Sequence, residues 1–259
     1  MKKFLALSLA VVMMVLCFAA CGSKTPEAEK EQEKVYVIYS DNAFAPFEFL
    51  DDSNKYVGVD MDLFAAIAED QGFKYEMHNE GFDAAMGAVQ AGQADAMIAG
   101  MTINDTRKET FDFSDGYFKD GSVLVVAADN DAIKAEADLQ GKKLAAKKGT
   151  VSTDYAEKVA EQYGCEISYF EDSPKMYQAV MTGNADACFE DYSVIAWAIE
   201  QGDVTLKTVG EVINPCYYGF AVKKGLNPEL VEMFNKGLEN IKANGKYEEI
   251  LNKYGYSSN

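Results

Sequence analysis

Arg107 has the residue type and the local sequence to bind an anion. It ends the segment Thr-Ile-Asn-Asp-Thr-Arg, in which Asn104 or Asp105 can cap a short helix and place Arg107 in its first turn. A guanidinium beside the unpaired N–H groups of a helix start is suited to bind a carboxylate through two hydrogen bonds. A surface arginine paired with Glu109 or Asp112 explains the same residues, so the sequence leaves both interpretations open.

Asp191 offers the opposite charge just beyond a second apolar run, where Glu190 precedes it. Its carboxylate can pair with a ligand ammonium, and Gly100, at the matching place after an earlier strand, offers a bare backbone carbonyl. Ligands of α/β sheets lie beyond the carboxyl ends of strands, so these two places are candidate halves of one site. The alternative role for Asp191 is to cap the helix that begins at Tyr192, which is equally sound physically.

Two aromatic side chains and one glycine-containing turn complete the candidate site. Phe44 and Phe82 lie at junctions between elements, where aromatic rings can clamp an apolar stem, although each alone is more often a core residue. The turn from Lys147 to Val151 follows a strand and opens a helix, so its N–H groups can hold an anion. It lacks the GxxxxGK[ST] spacing of a phosphate-binding P-loop. A positive anchor, a negative anchor and two aromatic rings together complement a zwitterionic amino acid.

A repeated phrase places these residues in two similar halves of the chain. Residues 88–96 read AVQAGQADA and residues 179–187 read AVMTGNADA, each with the pattern of a helix end, a glycine stop and a buried strand. Different residues follow the two phrases, namely Ala-Gly-Met-Thr at 99–102 and Glu-Asp-Tyr-Ser at 190–193. The sequence therefore predicts two lobes of one design that differ where they meet the ligand.

Strand and helix patterns alternate through both halves. The order over residues 35–99 is β-α-β-α-β, which favours a parallel sheet, and the alternation starts again at Lys143. Apolar strands over Ser122–Ala128 and Tyr217–Val222 lead into and out of the second half. We expect an α/β fold with two lobes, each a mostly parallel sheet flanked by helices, joined by two hinge strands. The expected boundaries are residues 35–118 plus 218–259 for the first lobe and residues 119–217 for the second.

The N-terminal residues carry the pattern of an exported lipoprotein. An apolar run from Phe4 to Ala20 follows two lysines, which predicts a signal peptide over residues 1–20. The run ends in Phe-Ala-Ala-Cys-Gly, which resembles a lipobox, so we expect Cys21 to carry lipid; a simple secretory signal is the alternative. Residues 21–34 are polar, as a tether should be. The expected location is the extracellular face of the cell membrane, or the periplasm of a two-membrane bacterium.

Composition argues against several classes of function. The chain has 24 Lys and Arg against 42 Asp and Glu, a formal net charge of −18, which argues against nucleic acid and against electrostatic docking on anionic lipid. No metal-ligand spacing is present, and the single histidine, His78, is expected to be a surface or strand residue. The sequence permits a Cys165–Cys216 disulfide without requiring it, and Cys188 is expected in the core. We expect no metal, no cofactor and a monomer.

Several short segments follow one another along the chain in a specific order, and together they resemble those of a known family. They are Ser40–Phe49, Gly58–Leu63, Ala99–Ile103, Arg107-Lys108, Phe111–Ser114, Gly149-Thr150 and Gly245–Tyr247. In combination rather than singly, and over roughly residues 34–256, they resemble the extracellular solute-binding proteins of polar amino-acid ABC transporters. That family contains the glutamine-, histidine- and arginine-binding proteins. The resemblance implies a type II periplasmic-binding-protein-like fold that closes around one L-amino acid and is read by a membrane permease.

The resemblance implies a role for each residue around the ligand backbone. Arg107 would clamp the α-carboxylate, assisted by the N–H groups of Thr102 and Val151. The carboxylate of Asp191, the carbonyl of Gly100 and the hydroxyl of Thr102 would take the α-ammonium.

Five further residues would surround the ligand side chain. Phe44 and Phe82 would flank it, with Asp41 near its end. Lys147 falls where glutamine-binding members carry a lysine that bonds the side-chain amide, which favours glutamine and disfavours a cationic ligand. Glu190 replaces the histidine of the best-known glutamine binder, and an acid there could instead favour a basic ligand. Glutamine is therefore the expected ligand, with a basic or an acidic amino acid as the alternative.

Three functions follow from these expectations. The first is a lipid-anchored capture protein that delivers one amino acid to an ABC permease and is not an enzyme. The second is an enzyme, because a few proteins of this fold are dehydratases and Glu190 could act as a general acid if burial raised its pKa. No nucleophile–base pair accompanies Glu190 in the sequence, which disfavours this alternative. The third is a ligand-sensing protein.

Overall fold

Strands and helices alternate through residues 34–257, the part of the chain that the computed structural model describes. The strands are β1 (Val35–Asp41), β2 (Phe49–Leu50), β3 (Tyr56–Val57), β4 (Lys74–Glu80), β5 (Ala96–Met97), β6 (Phe111–Phe113), β7 (Phe118–Ala127), β8 (Lys143–Lys147), β9 (Glu166–Phe170), β10 (Ala187–Asp191), β11 (Leu206–Tyr218) and β12 (Ala221–Lys223). The α-helices are α1 (Val59–Gln71), α2 (Phe82–Ala91), α3 (Asp105–Lys108), α4 (Val151–Tyr163), α5 (Ser173–Met181), α6 (Tyr192–Gln201), α7 (Pro228–Ala243) and α8 (Lys246–Lys253). The predicted signal peptide, the lipidation site Cys21 and the tether before Lys34 lie outside the described residues.

Two five-stranded sheets form the centres of two lobes. Their strand orders are β4-β1-β5-β12-β6 and β11-β7-β10-β8-β9. In the first sheet β1 runs parallel to β4 and β5, whereas β12 runs antiparallel to both of its neighbours. In the second, β8 runs parallel to β9 and β10, whereas β7 runs antiparallel to both of its neighbours. The sheets are therefore mixed rather than mostly parallel, because β7 and β12 enter each lobe from the connection and not through a crossover helix.

Strands β7 and β11 form the connection between the lobes. They pair antiparallel from Phe118 opposite Tyr218 to Ala127 opposite Leu206, with register shifts in between. The rings of Phe118 and Tyr218 stack at 5.8 Å, and Phe47 of the first lobe packs edge-on against them at 4.9 and 5.1 Å. Three aromatic rings therefore fix the point at which the two strands leave the first lobe.

The length of β11 is the main feature of the fold that sequence patterns miss. Most of its residues are exposed or half-buried, and Gly210 and Pro215 interrupt it, so it shows no apolar alternation. Its pairing with β7 makes it a strand. The predicted strand Tyr217–Val222 is in fact two, because the chain leaves β11 at Tyr218 and starts β12 at Ala221.

Apolar side chains cover both faces of each sheet. On β10, Cys188 belongs to one buried cluster and Phe189 to another, as alternation along a strand requires. On β1, Ile38 and Tyr39 divide in the same way between two clusters. The expectation that Cys188 is a core residue is confirmed, since none of its surface is exposed.

Cys165, Cys216 and His78 have local surroundings that the structure describes. Cys165 and Cys216 are free thiols, so the disulfide that the sequence permits does not form. His78 lies on β4, where it stacks on Tyr39 with ring centroids 5.1 Å apart and lies 3.3 Å from Glu76. This is the strand position expected for it.

The repeated phrase has the same structure in both lobes. Gly92 and Gly183 both adopt φ of +74°, the left-handed conformation that ends a helix. The aspartate after each glycine then joins the new strand to its neighbour. Asp95 accepts from the Val37 N–H at 2.8 Å and donates its own N–H to the Val37 carbonyl at 2.8 Å. Asp186 makes the same two bonds with Lys143, at 2.8 and 2.7 Å.

We expect Asp95→Ala and Asp186→Ala each to lower the free energy of unfolding. Each removes a charged acceptor from a strand N–H at the start of a sheet, which costs about 1.5–3 kcal/mol. Urea denaturation followed by circular dichroism measures the change. Gln93→Ala, at an exposed position of the same phrase, is the control and should be neutral. Equal stability of Asp95→Ala and Gln93→Ala would contradict the role given to the aspartate.

Candidate ligand-binding site

The residues predicted to bind a ligand lie at the carboxyl ends of strands or in the segments that follow them. This is where ligands sit on α/β sheets. The first lobe contributes Asp41, Phe44, Phe82, Gly100, Thr102 and Arg107, and the second contributes Lys147, Val151, Glu190 and Asp191. Contacts between the two groups show that the lobes bring them together.

Arg107 joins the two lobes through backbone carbonyls. Its Nη1 donates to the Thr102 carbonyl at 2.8 Å, and its Nη2 donates to the Gly149 carbonyl of the second lobe at 2.9 Å. Asn104 caps the short helix α3 by accepting from the Arg107 N–H at 2.8 Å. The guanidinium lies 5.4 Å from the centre of the Phe82 ring. Arg107 therefore faces the second lobe rather than forming the surface pair that the sequence also allowed.

Lys147 and Asp41 form a buried ion pair across the lobes. The Lys147 Nζ lies 2.5 Å from Asp41 Oδ2, with 2% and 0% of the two side chains exposed. The same ammonium lies 4.3 Å from the centre of the Phe44 ring and 5.9 Å from that of Phe82. Burial alone would lower the pKa of Lys147, but the charges of Asp41 and Glu190 outweigh it and raise the pKa. Lys147 is therefore a cation whose charge is compensated from the opposite lobe.

Asp191 occupies the cap position of α6, but its side chain does not cap the helix. Its carboxylate instead accepts from the Ser152 hydroxyl at 3.0 Å and lies 2.5 Å from the Tyr218 hydroxyl oxygen, within hydrogen-bond distance. Burial raises its pKa, while hydrogen bonds from Tyr218 and Ser152 oppose that change. The alternative that the Asp191 side chain caps the helix is therefore wrong, and its role as a ligand anchor stays a prediction.

Glu190 is buried beside Asp191 in the second lobe, and each of its two carboxylate oxygens accepts a hydrogen bond. Its carboxylate accepts from the Tyr177 hydroxyl at 2.8 Å and from the Asp191 N–H at 2.9 Å. Burial, and then the charge of Asp191, raise its pKa to about 7, although Lys147 acts in the opposite direction. Its charge can therefore change near neutral pH.

Backbone groups complete the site. The Gly100 N–H donates to Asp60 Oδ2 at 2.7 Å, which fixes the peptide that precedes Gly100. Thr102 pairs with Tyr218 in an antiparallel bridge whose hydrogen bonds are made by the flanking residues, so its own N–H points away from that strand. Val151 begins α4, where the first N–H groups have no acceptor within the helix.

The family model of bacterial extracellular solute-binding proteins, family 3, matches residues 36–257. The chain belongs to this family. Within residues 34–257, no helix is both long and apolar enough to cross a membrane. A probable histidine-binding protein of Neisseria gonorrhoeae is 31% identical over 261 residues, which cover 98% of this chain and 96% of that protein.

Solved structures show how the lobes of such proteins are arranged. An ancestral arginine-binding protein is 38% identical; its arginine-bound form gives a TM-score of 0.80, with 86% of this chain and 98% of that chain covered. Its glutamine-bound form gives 0.79, with coverages of 85% and 97%. The second substrate-binding domain of Lactococcus lactis GlnP, in an open conformation, is 45% identical but gives only 0.59, with coverages of 86% and 96%. This solute-binding protein therefore superimposes more closely on the two ligand-bound ancestral forms than on that open domain.

Four residues around the anchors of this solute-binding protein were missed by sequence reasoning. Ser152 and Tyr218 bind Asp191, Asp60 holds Gly100, and Tyr177 binds Glu190. Asp60 and Tyr218 lie in segments that the sequence marked as structural. Ser152 and Tyr177 lie inside predicted helices, and no local pattern shows which side chain will reach an anchor from another element.

We expect Gly100→Ala to weaken amino-acid binding by displacing Phe44. A Cβ at Gly100 would lie 2.6 Å from the Phe44 ring, and such overpacking costs about 1–3 kcal/mol, on the order of tenfold or more in affinity. Isothermal titration with L-glutamine and L-arginine measures the loss. Gly92→Ala is the matched control, because its φ of +74° imposes similar backbone strain while no atom lies within 4 Å of the new Cβ. The idea fails if both variants bind as the wild type does.

Proposed function

We propose that this protein is the lipid-anchored, monomeric solute-binding component of an ABC importer. It captures one polar L-amino acid, with glutamine favoured, between its lobes and delivers it to the permease. The observation that carries the proposal is the convergence of a cationic anchor, Arg107, and an anionic anchor, Asp191, whose charges interact across the site. An amino-acid backbone carries the inverse pair of charges.

The carboxylate of the amino acid would bind at Arg107. A guanidinium has more N–H donors than the two contacts with Thr102 and Gly149 use, so donors remain for an anion. The N–H groups of Thr102 and Val151 would add neutral donors, the second at a helix start that favours negative charge. A planar guanidinium suits this role because it matches a carboxylate with two parallel hydrogen bonds.

The ammonium of the amino acid would bind at Asp191. The carbonyl of Gly100 and the hydroxyl of Thr102 would accept its other hydrogens, which gives one charged and two neutral acceptors. Asp60 and Phe44 support this end from behind, because they fix the Gly100 peptide and leave no room for a side chain there.

The side chain of the amino acid would end at Lys147 and Asp41. The ion pair of these residues offers a donor and an acceptor together, which matches the carbonyl and the NH₂ of a glutamine amide. Phe44 and Phe82, both close to the Lys147 ammonium, would cover the aliphatic stem. The ancestral relative bound to glutamine and to arginine supports the choice of glutamine and the alternative of a basic ligand, which Glu190 would favour.

An enzymatic role is the alternative that Glu190 raises. Its carboxylate already accepts from Tyr177 and from the Asp191 N–H, and these hydrogen bonds give Glu190 a structural role that needs no catalysis. The relatives described above are binding proteins, so we propose capture without turnover. We also propose export by the signal peptide and anchoring through lipid on Cys21, with the sensory role as the remaining alternative.

A thermal-shift screen against the twenty amino acids tests the proposed function. A tight ligand at about 100 times its dissociation constant stabilises the protein by roughly 2.7 kcal/mol.

Arg107→Ala and Asp191→Ala should each lose about 2–5 kcal/mol of affinity, because each leaves a ligand charge buried without its partner. Lys108→Ala, at the exposed neighbouring residue, should bind as the wild type does. Micromolar binding by Arg107→Ala would rule out the carboxylate clamp.

Lys147→Met should shift the choice of ligand. It removes the ammonium and leaves the buried Asp41 carboxylate without a cation, although the Asn42 N–H still donates to it, and this is destabilising unless a ligand cation takes the place of the ammonium. We expect the affinity for L-glutamine to fall by tenfold or more and the affinity for L-arginine to fall less or to rise. Competition titrations with both amino acids measure the ratio. An unchanged ratio would show that the ion pair does not select the side chain.

A further inference from the structure

Asp120 is a buried acid for which the proposed function has no use. It lies on hinge strand β7, and 9% of its surface is exposed. Its carboxylate accepts from the Gly121 N–H at 2.8 Å, from the Ser193 N–H at 3.3 Å and from the Ser193 hydroxyl. These donors satisfy an ionised carboxylate without help from a ligand.

The Tyr218 hydroxyl lies between Asp120 and Asp191. Its oxygen is 2.9 Å from Asp120 Oδ2 and 2.5 Å from Asp191 Oδ2. Tyr218 belongs to the other hinge strand, β11, and none of its surface is exposed. A hydroxyl has a single hydrogen and can donate to only one carboxylate at a time. The second contact would bring two lone pairs together unless another proton lies between the oxygens.

We infer that Asp120 and Tyr218 are positioning residues for Asp191, and that the three side chains hold a proton that the ammonium of the amino acid displaces. The inference rests on the proposed function, since it takes Asp191 as the ammonium anchor. Before binding, the Asp191 carboxyl donates its proton to the Tyr218 oxygen, and Tyr218 donates to Asp120. When the ammonium arrives, that proton leaves for solvent and the ionised Asp191 accepts from the ammonium.

The surroundings of these three side chains (Asp120, Tyr218 and Asp191, hereafter the trio) favour this extra proton. Burial, and then the charge of Asp191, raise the pKa of Asp120 to about 6, and burial also raises the pKa of Asp191. The charged or titratable groups that interact with the two acids are Arg107, Lys147, Glu190, Cys216 and Tyr256.

Those neighbours act in different directions. Arg107 and Lys147 lower the pKa of Asp191, whereas a charged Glu190 beside it raises the cost of a second anion. Burial raises the pKa of Cys216 to about 12 and also raises that of Tyr256, so both stay neutral and compensate no charge. The incoming ammonium is then the cation that replaces the proton.

The sign of the pH dependence follows from this exchange. The amino acid binds the deprotonated trio, so protonation competes with it and binding releases the proton. At a pH where the trio has already lost its proton, the affinity for the amino acid should not depend on pH. Below about pH 6 the affinity should fall, by at most about tenfold per pH unit for one proton.

Isothermal titration in pairs of buffers with different ionisation enthalpies measures the protons released. The probes are L-glutamine and L-arginine, and the measurements are made at about pH 5 and about pH 8. The wild type should release close to one proton at the lower pH and almost none at the higher. Asp120→Asn keeps an oxygen that accepts from the Gly121 and Ser193 N–H groups and places an amide donor at the Tyr218 oxygen, where the Ser193 hydroxyl must turn to accept instead of donate. Asp191 then stays ionised, so the release at the lower pH should disappear and the loss of affinity with it.

Four further variants make the result specific. Tyr218→Phe keeps the aromatic ring but removes the hydroxyl that links the two acids, so Asp120 should no longer act on Asp191. Tyr218→Phe and the double variant Tyr218→Phe/Asp120→Asn should therefore release the same number of protons. Asp131→Asn makes the same chemical change at an exposed residue of the second lobe and should release protons as the wild type does. Glu190→Gln removes the nearest other acid and should keep the release.

Several outcomes would overturn the inference while the proposed function stands. They are amino-acid binding without proton release in the wild type, a release that persists in Asp120→Asn, or a release that is lost only in Glu190→Gln. If Asp120→Asn does not fold by circular dichroism, the wild type carries the test, because an affinity that stays constant below about pH 6 contradicts the exchange. A wild type that binds none of the twenty amino acids refutes the proposed function itself, and this inference with it.

Discussion

The buried ion pair between Asp41 and Lys147 illustrates the main constraint on the two lobes, which is that a charge buried between them needs a partner of opposite charge. Each lobe brings charges to a place where the other lobe covers them, and a buried charge is tolerated only when it is paired. Asp41 and Lys147 solve this within the protein, since each lobe supplies one of them. Arg107 and Asp191 solve it only in part, through carbonyls and hydroxyls. A zwitterion that supplies the missing charges would therefore make closure favourable, and selection and closure share one electrostatic origin.

Local sequence was a good guide to the elements that build each lobe. Helices with apolar periodicity and glycine stops, such as those ending at Gly92 and Gly183, were predictable because their signals lie within a few residues. The direction and length of the connecting strands were not. β11 becomes a strand by pairing with β7, and the antiparallel pairs of β7 and β12 follow from how the chain crosses between lobes. Both depend on contacts far apart in the sequence.

The sequence pointed to candidate anchors but not to the residues that surround them. Residue type and position marked Arg107 and Asp191 as charged groups at strand ends, but each had an ordinary structural alternative. The resemblance to solute-binding proteins gave them roles, and the structure adds what holds them. Asp191 reaches Ser152 and Tyr218, which are 39 and 27 residues away. Partners at such separations come from the tertiary fold, and a single sequence does not encode them in any local pattern.

The same hydrogen bonds join the proposed ammonium end of the site to the two connecting strands. Asp120 lies on β7, Tyr218 on β11 and Asp191 at the end of β10, so one network touches both connecting strands and one anchor. Tyr218 also packs against Phe47 and Phe118 where the strands leave the first lobe. A change in the charge of the trio would therefore act at the two strands that connect the lobes, and any change in the position of the lobes would act on the hydrogen bonds of the trio. The charge of the ligand and the position of the lobes would in this way be coupled, because both would act on the same set of buried hydrogen bonds.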